Sequence, residues 1–277
     1  LSAGRSNVTR PLILVTNDDG IASPGLAAAA AALDPLGELL IAAPATQQTS
    51  MGRSRTQLSD QDGRILPYTV QYGAQTWQGF SVQGTPAMVV EHAVQELAPR
   101  RVDLAVSGIN YGENIGTCIT ISGTIGAAME AAERGIPALA ISLETRVDQY
   151  YRHDGGVDFR TAAHFLHFFA ARLVGKGLPA DVDVLKIEVP MSATPETRWM
   201  VARQDRLSYY TVKVRRDSAD LTGPARSEYM AAKGQFTQTG TDAYAMAQGI
   251  VSITPLSLDH TSRITLDAVQ ALIEREA

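Results

Sequence analysis

The sequence predicts an α/β protein, with a doubly wound core on a mostly parallel sheet over residues 10–145. Three observations carry this. Four short segments, LILVT at 12–16, ELLIAA at 38–43, LAVS at 104–107 and ALAIS at 138–142, are almost wholly apolar. They alternate with stretches of helical character. Each runs into a turn or a polar loop. Strands that are apolar on both faces and alternate with helices form parallel sheets covered on both sides.

Each element follows in order. LILVT is a buried strand, short and ended by turn residues. Residues 25–33 are an alanine-rich helix, and 38–43 a second strand stopped by Pro44. Residues 44–63 are polar and irregular. Segments 65–72 and 76–83 alternate and suggest a hairpin. Gly84-Thr85-Pro86 opens a helix to about residue 97, with Thr85 as N-cap and Pro86 at the first helical position. A third strand at 104–107 leads into a glycine-rich loop at 108–122, a helix at 123–134 and a fourth strand at 138–142. A helix at 158–173 and a strand at 184–189 follow. Residues 198–214 alternate as a hairpin would, and 215–249 are polar with few periodic signals. A strand at 250–254 and a helix at 266–275 close the chain. No linker marks a second domain, so 11–277 is expected to be one unit, with its core at about 11–190. Residues 1–10 read as a flexible tail, and the Asn7-Val8-Thr9 sequon within it carries no weight.

Composition narrows the function classes. The 277 residues are 45% hydrophobic and 19% charged, which is ordinary for a globular chain. A core of this size needs neither disulfides nor a structural metal. The one cysteine, Cys118, excludes an intrachain disulfide and fits a reducing, cytoplasmic compartment. Twenty-four Lys and Arg stand against 29 Asp and Glu, for a net charge of −5. Without a basic run, binding to long nucleic acid is disfavoured, because that affinity is mostly phosphate neutralisation. A small phosphorylated ligand needs only a local site. No apolar run approaches the ~18 residues of a membrane span.

Ligands of open α/β sheets sit beyond the carboxyl ends of the strands, near a switch in strand order. Asn17, Asp18 and Asp19 follow the first strand. APATQQTSMGRS follows the second, and SGINYGEN, with Asn110 and Asn114, the third. All three loops open onto one rim and are rich in oxygen ligands. N-D-D-G is also good turn chemistry, but a turn needs one Asx side chain, and two adjacent carboxylates repel each other. A hard divalent cation accepts such oxygens, and there is no Cys/His cluster to suggest zinc. Ser122-Gly123-Thr124 begins a helix, where free N–H groups and two hydroxyls make an anion site. A simple serine cap would not explain Asn110, Asn114 and the glycines upstream. The loop lacks a P-loop lysine and is not a dinucleotide fingerprint. His164 and His167 share a helix face without a flanking acid motif, and His92 reads as structural. His153 and His260 lie in polar segments, and Cys118 reads as packing.

TNDDGIASPG, SGINYGENIG, SGTIGAAMEAAERGIPALAIS and GIVSITPL, in this order, resemble the SurE family, over about residues 12–258. These are stationary-phase survival proteins that act as metal-dependent 5′/3′-nucleotidases. The resemblance implies a three-layer α/β/α, Rossmann-like fold. A hairpin and C-terminal elements, about 191–277 here, would be exchanged in a homodimer or homotetramer. It implies one divalent ion per subunit, Mg²⁺ or Mn²⁺, and hydrolysis of nucleoside monophosphates. Carried over by motif, Asp18, Asp19, Thr49 and Asn110 hold the metal, while Asn114, Ser122, Gly123 and Thr124 hold the phosphate. Asp18, Asp19 and Asn114 are the catalytic candidates. The family's loop after the second strand usually reads Q-S-G; here Gln48-Thr49-Ser50 puts Thr49 in the serine slot and Ser50 in the glycine slot, so Ser50 competes for the ligand role. Ala45 stands where an acidic residue is common. Attack by a metal-activated water, or by Asp18 or Asp19 as nucleophile or base, remains open at this stage. Two rivals are a metal-dependent sugar-nucleotide transferase and a non-catalytic module that senses nucleotide or metal.

Overall fold

LILVT forms the central strand β1 (Leu12–Thr16), buried along its whole length in the computed structural model. That structure describes residues 10–57, 59–151, 156–231 and 236–274. The expected tail falls outside these residues but for Arg10, as do the sequon and His153.

Parallel to β1 lie β2 (Glu38–Pro44) on one side and β5 (Leu104–Tyr111) on the other. Beyond β2 come β4 (Gln75–Val82) and the edge strand β3 (Ile65–Tyr72), an antiparallel pair as the sequence predicts. Beyond β5 come β6 (Ala138–Leu143) and β7 (Val184–Val189), both parallel, then β11 (Val251–Leu256), antiparallel to β7. The short β8 (Trp199–Val201) completes a nine-stranded sheet of order β3-β4-β2-β1-β5-β6-β7-β11-β8. From β1 the chain goes out to β2 and later returns to β5 on the other side. The switch in strand order therefore lies between β1 and β5.

Period-two side-chain alternation explains why these strands are apolar throughout. Ile13, Val15, Ile41, Val106 and Ile141 face one core, packed with α1 (Pro24–Leu33) and α4 (Arg160–Leu173). Leu12, Leu14, Leu40, Ala105 and Ala140 face the other, with α2 (Pro86–His92) and α3 (Gly123–Glu133). The result is the expected three-layer α/β/α architecture. Thr85 caps α2 as predicted, its hydroxyl accepting the Met88 N–H at 3.3 Å. Past His92 that helix widens into a π-helical turn over Ala93–Leu97.

The C-terminal third departs from the sequence reading. Residues 198–214 do not fold as a hairpin. β8 joins the main sheet instead, parallel to β11. β9 (Tyr210–Arg216) pairs antiparallel with β10 (Ala225–Ala231) in a separate two-stranded ribbon. β10 is exposed or half-buried throughout, so no burial pattern imposes an alternation on its sequence. α5 (Asp242–Ala247) is too short to show a helical period. α6 (Leu266–Ile273) buries none of its residues. Among the described residues no helix is long and apolar enough to cross a membrane.

Candidate active site

β1 ends at three buried polar residues, Asn17, Asp18 and Asp19. The turn itself needs only the first. Asn17 Nδ2 donates to the Gly20 carbonyl, and its Oδ1 accepts the Gly20 N–H, each at 3.1 Å. Both aspartates are left for other work, at 4% and 3% exposure. Asp18 Oδ1 accepts the Thr124 hydroxyl at 2.5 Å. Asp19 Oδ1 accepts Gln47 Nε2 at 3.0 Å, and its Oδ2 accepts the Tyr111 N–H at 3.1 Å. A hydroxyl, an amide and a backbone N–H are all neutral donors. Burial pushes the Asp18 carboxyl up to about 6, against the lowering effect of Thr124. Burial, and then the charge of Asp18, push Asp19 well above the usual carboxylate range. Two adjacent buried carboxylates with neutral partners favour a cation beside them.

The second strand's loop crosses the same rim. The Gln48 N–H donates to the Asp18 carbonyl at 2.7 Å, and Gly52 N–H to the Ile121 carbonyl at 2.9 Å. Arg53 and Arg55 then reach Glu130 on α3, each at 2.7 Å, fastening the loop to that helix. Burial alone would raise the Glu130 carboxyl, but hydrogen bonds from Arg53, Arg134 and Arg55 hold it below its ordinary value. Thr49 and Ser50 sit exposed on this loop, Ser50 with a left-handed φ of 65°.

β5 runs four residues further than the sequence suggests. It breaks register with β6 between Ser107 and Asn110, then resumes with Asn110 opposite Ser142. Gly108 sits in this bulge, where an added Cβ would come within 2.3 Å of the Ile141 carbonyl oxygen. Bulges of this kind re-aim the side chains that follow. The Asn110 amide nitrogen donates to the carbonyls of Tyr111 and Gly112, at 3.1 and 2.7 Å, so Oδ1 is the atom that could serve a ligand. Asn114 Nδ2 donates to Ser142 Oγ at 3.0 Å and keeps one proton to offer.

α3 meets Asp18 end on. Ser122 caps the helix, its hydroxyl oxygen accepting the Ile125 N–H at 3.2 Å. A Cβ on Gly123 would lie 2.7 Å from Asp18 Cβ and 2.8 Å from Oδ2. Only glycine allows the carboxylate to rest against the first turn, whose N–H groups have no helical acceptor. The Thr124 hydroxyl serves Asp18.

These loops surround an open cleft. Asp18, Thr49, Ser50, Asn110, Asn114 and Ser122 line it, while Asp19, Gly123 and Thr124 stand behind that lining. Tyr150, Tyr151, Tyr210 and Tyr229 form much of the remaining wall, with Cys118 beside them. Among the described residues no histidine lines the cleft: His92 pairs with Glu96 at 2.5 Å, and His167 Nδ1 with the Ala32 carbonyl at 2.8 Å. Among the described residues no cluster of three His, Cys, Asp or Glu side chains is present. Asp18, Asn110 and the hydroxyls of Thr49 and Ser50 bring oxygen atoms to the cleft, with the Asp19 carboxylate behind them, and such hard oxygens are the donor type that Mg²⁺ and Mn²⁺ take.

Gln47 and the tyrosines carry no signal in the sequence, because only the tertiary fold brings them to the rim. A buried group behind Asn114 did leave one. Lys186 and Glu188 interrupt the otherwise apolar strand VLKIEV, yet both side chains are fully buried.

A doubly wound sheet whose switch point brings a buried carboxylate pair to a helix N-terminus places the chain among the α/β proteins that carry a polar cleft beyond the strand ends. The family described as Survival protein SurE matches residues 13–211, and the chain belongs to it. The 5′-nucleotidase SurE of Thermococcus kodakarensis is 39% identical over 94% of this chain and 98% of its own length. That of Archaeoglobus fulgidus is 40% identical over 93% of this chain and 95% of its own. The crystal structure of the SurE protein from Aquifex aeolicus superposes with a TM-score of 0.74 at 29% identity, covering 95% of this chain and all of that one.

Proposed function

We propose that this chain is a metal-dependent phosphomonoesterase that hydrolyses nucleoside monophosphates, a 5′/3′-nucleotidase. The observation that carries this is the buried Asp18–Asp19 pair, served by neutral donors and set against the first turn of α3. The names of the curated relatives support the same activity. Asp18, Asp19, Asn110 and the hydroxyl of Thr49 or Ser50 are the residues to hold one Mg²⁺ or Mn²⁺ ion per subunit. Such an ion supplies positive charge to a phosphoryl oxygen and lowers the pKa of a bound water.

The chain's own groups do the positioning. The Ser122 hydroxyl and the second Asn114 amide proton are the donors that line the cleft for the phosphoryl oxygens, with the start of α3 at Gly123 behind them and Thr124 engaged by Asp18. Their donor geometry favours the charge that gathers there during transfer. Thr124 holds Asp18 in place, and Gln47 with the Tyr111 N–H holds Asp19. The tyrosine wall offers flat, apolar faces to a nucleobase beyond the phosphate. The lone Cys118 supports a reducing, cytoplasmic setting.

We further propose a homodimer or homotetramer. α6 presents Leu266, Val269, Leu272 and Ile273 to solvent, and the β9–β10 ribbon presents Val212 and Val214. Exposed apolar groups this dense mark contact surfaces.

Phosphate release from a panel of nucleoside monophosphates, with chelator and after adding back single divalent ions, tests the activity. Release that is abolished by chelator and restored by Mn²⁺ or Mg²⁺ is expected. Asp19→Asn should lower turnover by about two orders of magnitude or more, since it removes a ligand charge. Near-normal hydrolysis in that variant would overturn the assignment. A sugar-nucleotide transferase would release little phosphate from these monoesters.

A further inference from the structure

Lys186 and Glu188 lie two residues apart on β7 and so project from one face of the strand. With Asp242, the first residue of α5, they form a cluster whose side chains have no exposed surface. Lys186 Nζ lies 2.8 Å from Asp242 Oδ2 and 3.6 Å from Glu188 Oε1. One ammonium faces two carboxylates. A core that needed only packing would do as well or better with apolar side chains. The cluster therefore calls for a reason beyond stability.

All three residues grip one short segment. Glu188 Oε2 accepts the Asn114 N–H at 3.0 Å. Lys186 Nζ donates to the Asn114 carbonyl at 2.9 Å. Asp242 Oδ2 accepts the Gly116 N–H at 3.1 Å, and its Oδ1 is itself fixed by the N–H groups of Asp205 and Ala243. Both backbone polar groups of Asn114 thus end on buried side chains of the cluster, its N–H on the Glu188 carboxyl and its carbonyl on Lys186 Nζ. The side chain of the same residue lines the cleft.

We propose that Lys186, Glu188 and Asp242 are positioning residues for the phosphate site, a buried charge cluster that fixes the Asn114 backbone and so aims its amide into the cleft. The inference rests on the reading of Asn114 as a phosphate-holding residue. None of the three lines the cleft.

The test measures kcat/KM for a nucleoside monophosphate, the competitive Ki of inorganic phosphate, and Mn²⁺ affinity by calorimetry. Glu188→Gln keeps an acceptor for the Asn114 N–H and should stay within about twofold of the parent. Glu188→Met removes that acceptor and should cost about tenfold or more in kcat/KM and weaken phosphate binding, with Mn²⁺ affinity unchanged. In an Asn114→Ala background the same Glu188→Met change should cost less than about twofold, because the side chain it aims is gone. Should Glu188→Met fail to fold, the pair Lys186→Met with Glu188→Gln removes the ammonium and one carboxyl together, and with them the donor to the Asn114 carbonyl. It should show the same dependence on Asn114. Equal fold-losses with and without the Asn114 side chain, or a parallel loss of Mn²⁺ affinity, would overturn the positioning role alone. An Asn114→Ala variant that hydrolyses and binds phosphate like the parent would remove the reading of Asn114, and the inference with it.

Discussion

The Thr124 hydroxyl and the Asp18 carboxylate, 106 residues apart in the chain, meet in a hydrogen bond of 2.5 Å. The bond ties the first turn of α3 to the end of β1, so the proposed phosphate and metal sites share one strut. A hydrogen bond to a charged group contributes about 1.5–3 kcal/mol. Thr124→Val should therefore lower kcat/KM and Mn²⁺ affinity by about 10- to 100-fold. Thr124→Ser should stay close to the parent in both. Calorimetric Mn²⁺ titration alongside phosphate-release kinetics reads both effects. Unchanged Mn²⁺ binding in Thr124→Val would show that this strut does not hold a ligand.

Ser50 keeps a backbone φ of 65° in the slot where the family's loop has glycine. The loop thus retains a left-handed turn despite the substitution. For a residue with a Cβ this conformation costs about 1–2 kcal/mol, partly offset by glycine's larger loss of freedom on folding. Ser50→Gly is expected to raise unfolding stability by roughly 0.5–1 kcal/mol, read as a higher urea midpoint. A lowered midpoint would mean that the serine hydroxyl contributes more than the strain removes.

Thr49 and Ser50 both line the cleft, so geometry keeps both hydroxyls in play. The resemblance of Gln48-Thr49-Ser50 to the family's Q-S-G motif favours Thr49. Thr49→Ala should weaken Mn²⁺ binding by about tenfold, the loss of one oxygen ligand, and Ser50→Ala by much less. The reverse order in a calorimetric titration would move the ligand by one residue.

The parts of the fold that could be read from sequence are those buried on both faces. Strands β1, β2 and β6 show as apolar runs because each packs between two helical layers. The ribbon and α5 could not be read, since β10 has no buried face and α5 has six residues. The rim followed from the strand ends: Asp18, Asn110, Asn114 and Ser122 each come just after, or on, an element that stops at the switch point. What supports them did not follow. Gln47 reaches Asp19 across 28 residues, and Lys186 reaches Asp242 across 56. Such pairings depend on how layers approach, which no local pattern encodes. Lys186 and Glu188 are the exception that left a trace, two charges where an apolar strand was expected.

Glu130 and Glu188 should pull stability in opposite directions as pH changes. Despite burial, three guanidinium groups hold the Glu130 carboxyl below its usual 4.5. Its stabilisation is present above that value and is lost as pH falls through the lower folded pKa. Burial, opposed by Lys186, raises Glu188 from 4.5 to about 7. The native state then binds a proton that the unfolded chain has released, so stability falls as pH rises from 4.5 towards 7. Between pH 5 and pH 8, Glu188→Gln should remove a decline on the order of 3 kcal/mol. Glu130→Gln should instead flatten the loss of stability on the acid side, below about pH 4.5. Urea unfolding at pH 4, 5, 7 and 8 separates the two. A Glu188→Gln variant whose stability declines with pH as the parent's does would show that this carboxyl is ionised throughout.

α6 exposes Leu266, Val269, Leu272 and Ile273 and buries nothing. An isolated helix of eight residues does not hold its shape in water, because nucleation costs more than so few hydrogen bonds return. Its apolar face therefore needs a cover, and a second copy of the chain supplies one under the proposed assembly. Fully burying an aliphatic side chain contributes about 1.5–3 kcal/mol. Val269→Asp with Leu272→Asp removes two such groups from each subunit, so a dimer loses roughly 6–12 kcal/mol at most. Micromolar association corresponds to about 8 kcal/mol, so a loss of that size is enough to separate the subunits. Light scattering after gel filtration should show the mass of the parent assembly reduced in the double variant, with the fold of each subunit retained by circular dichroism. An unchanged mass would place the subunit contact elsewhere and leave α6 without its proposed cover.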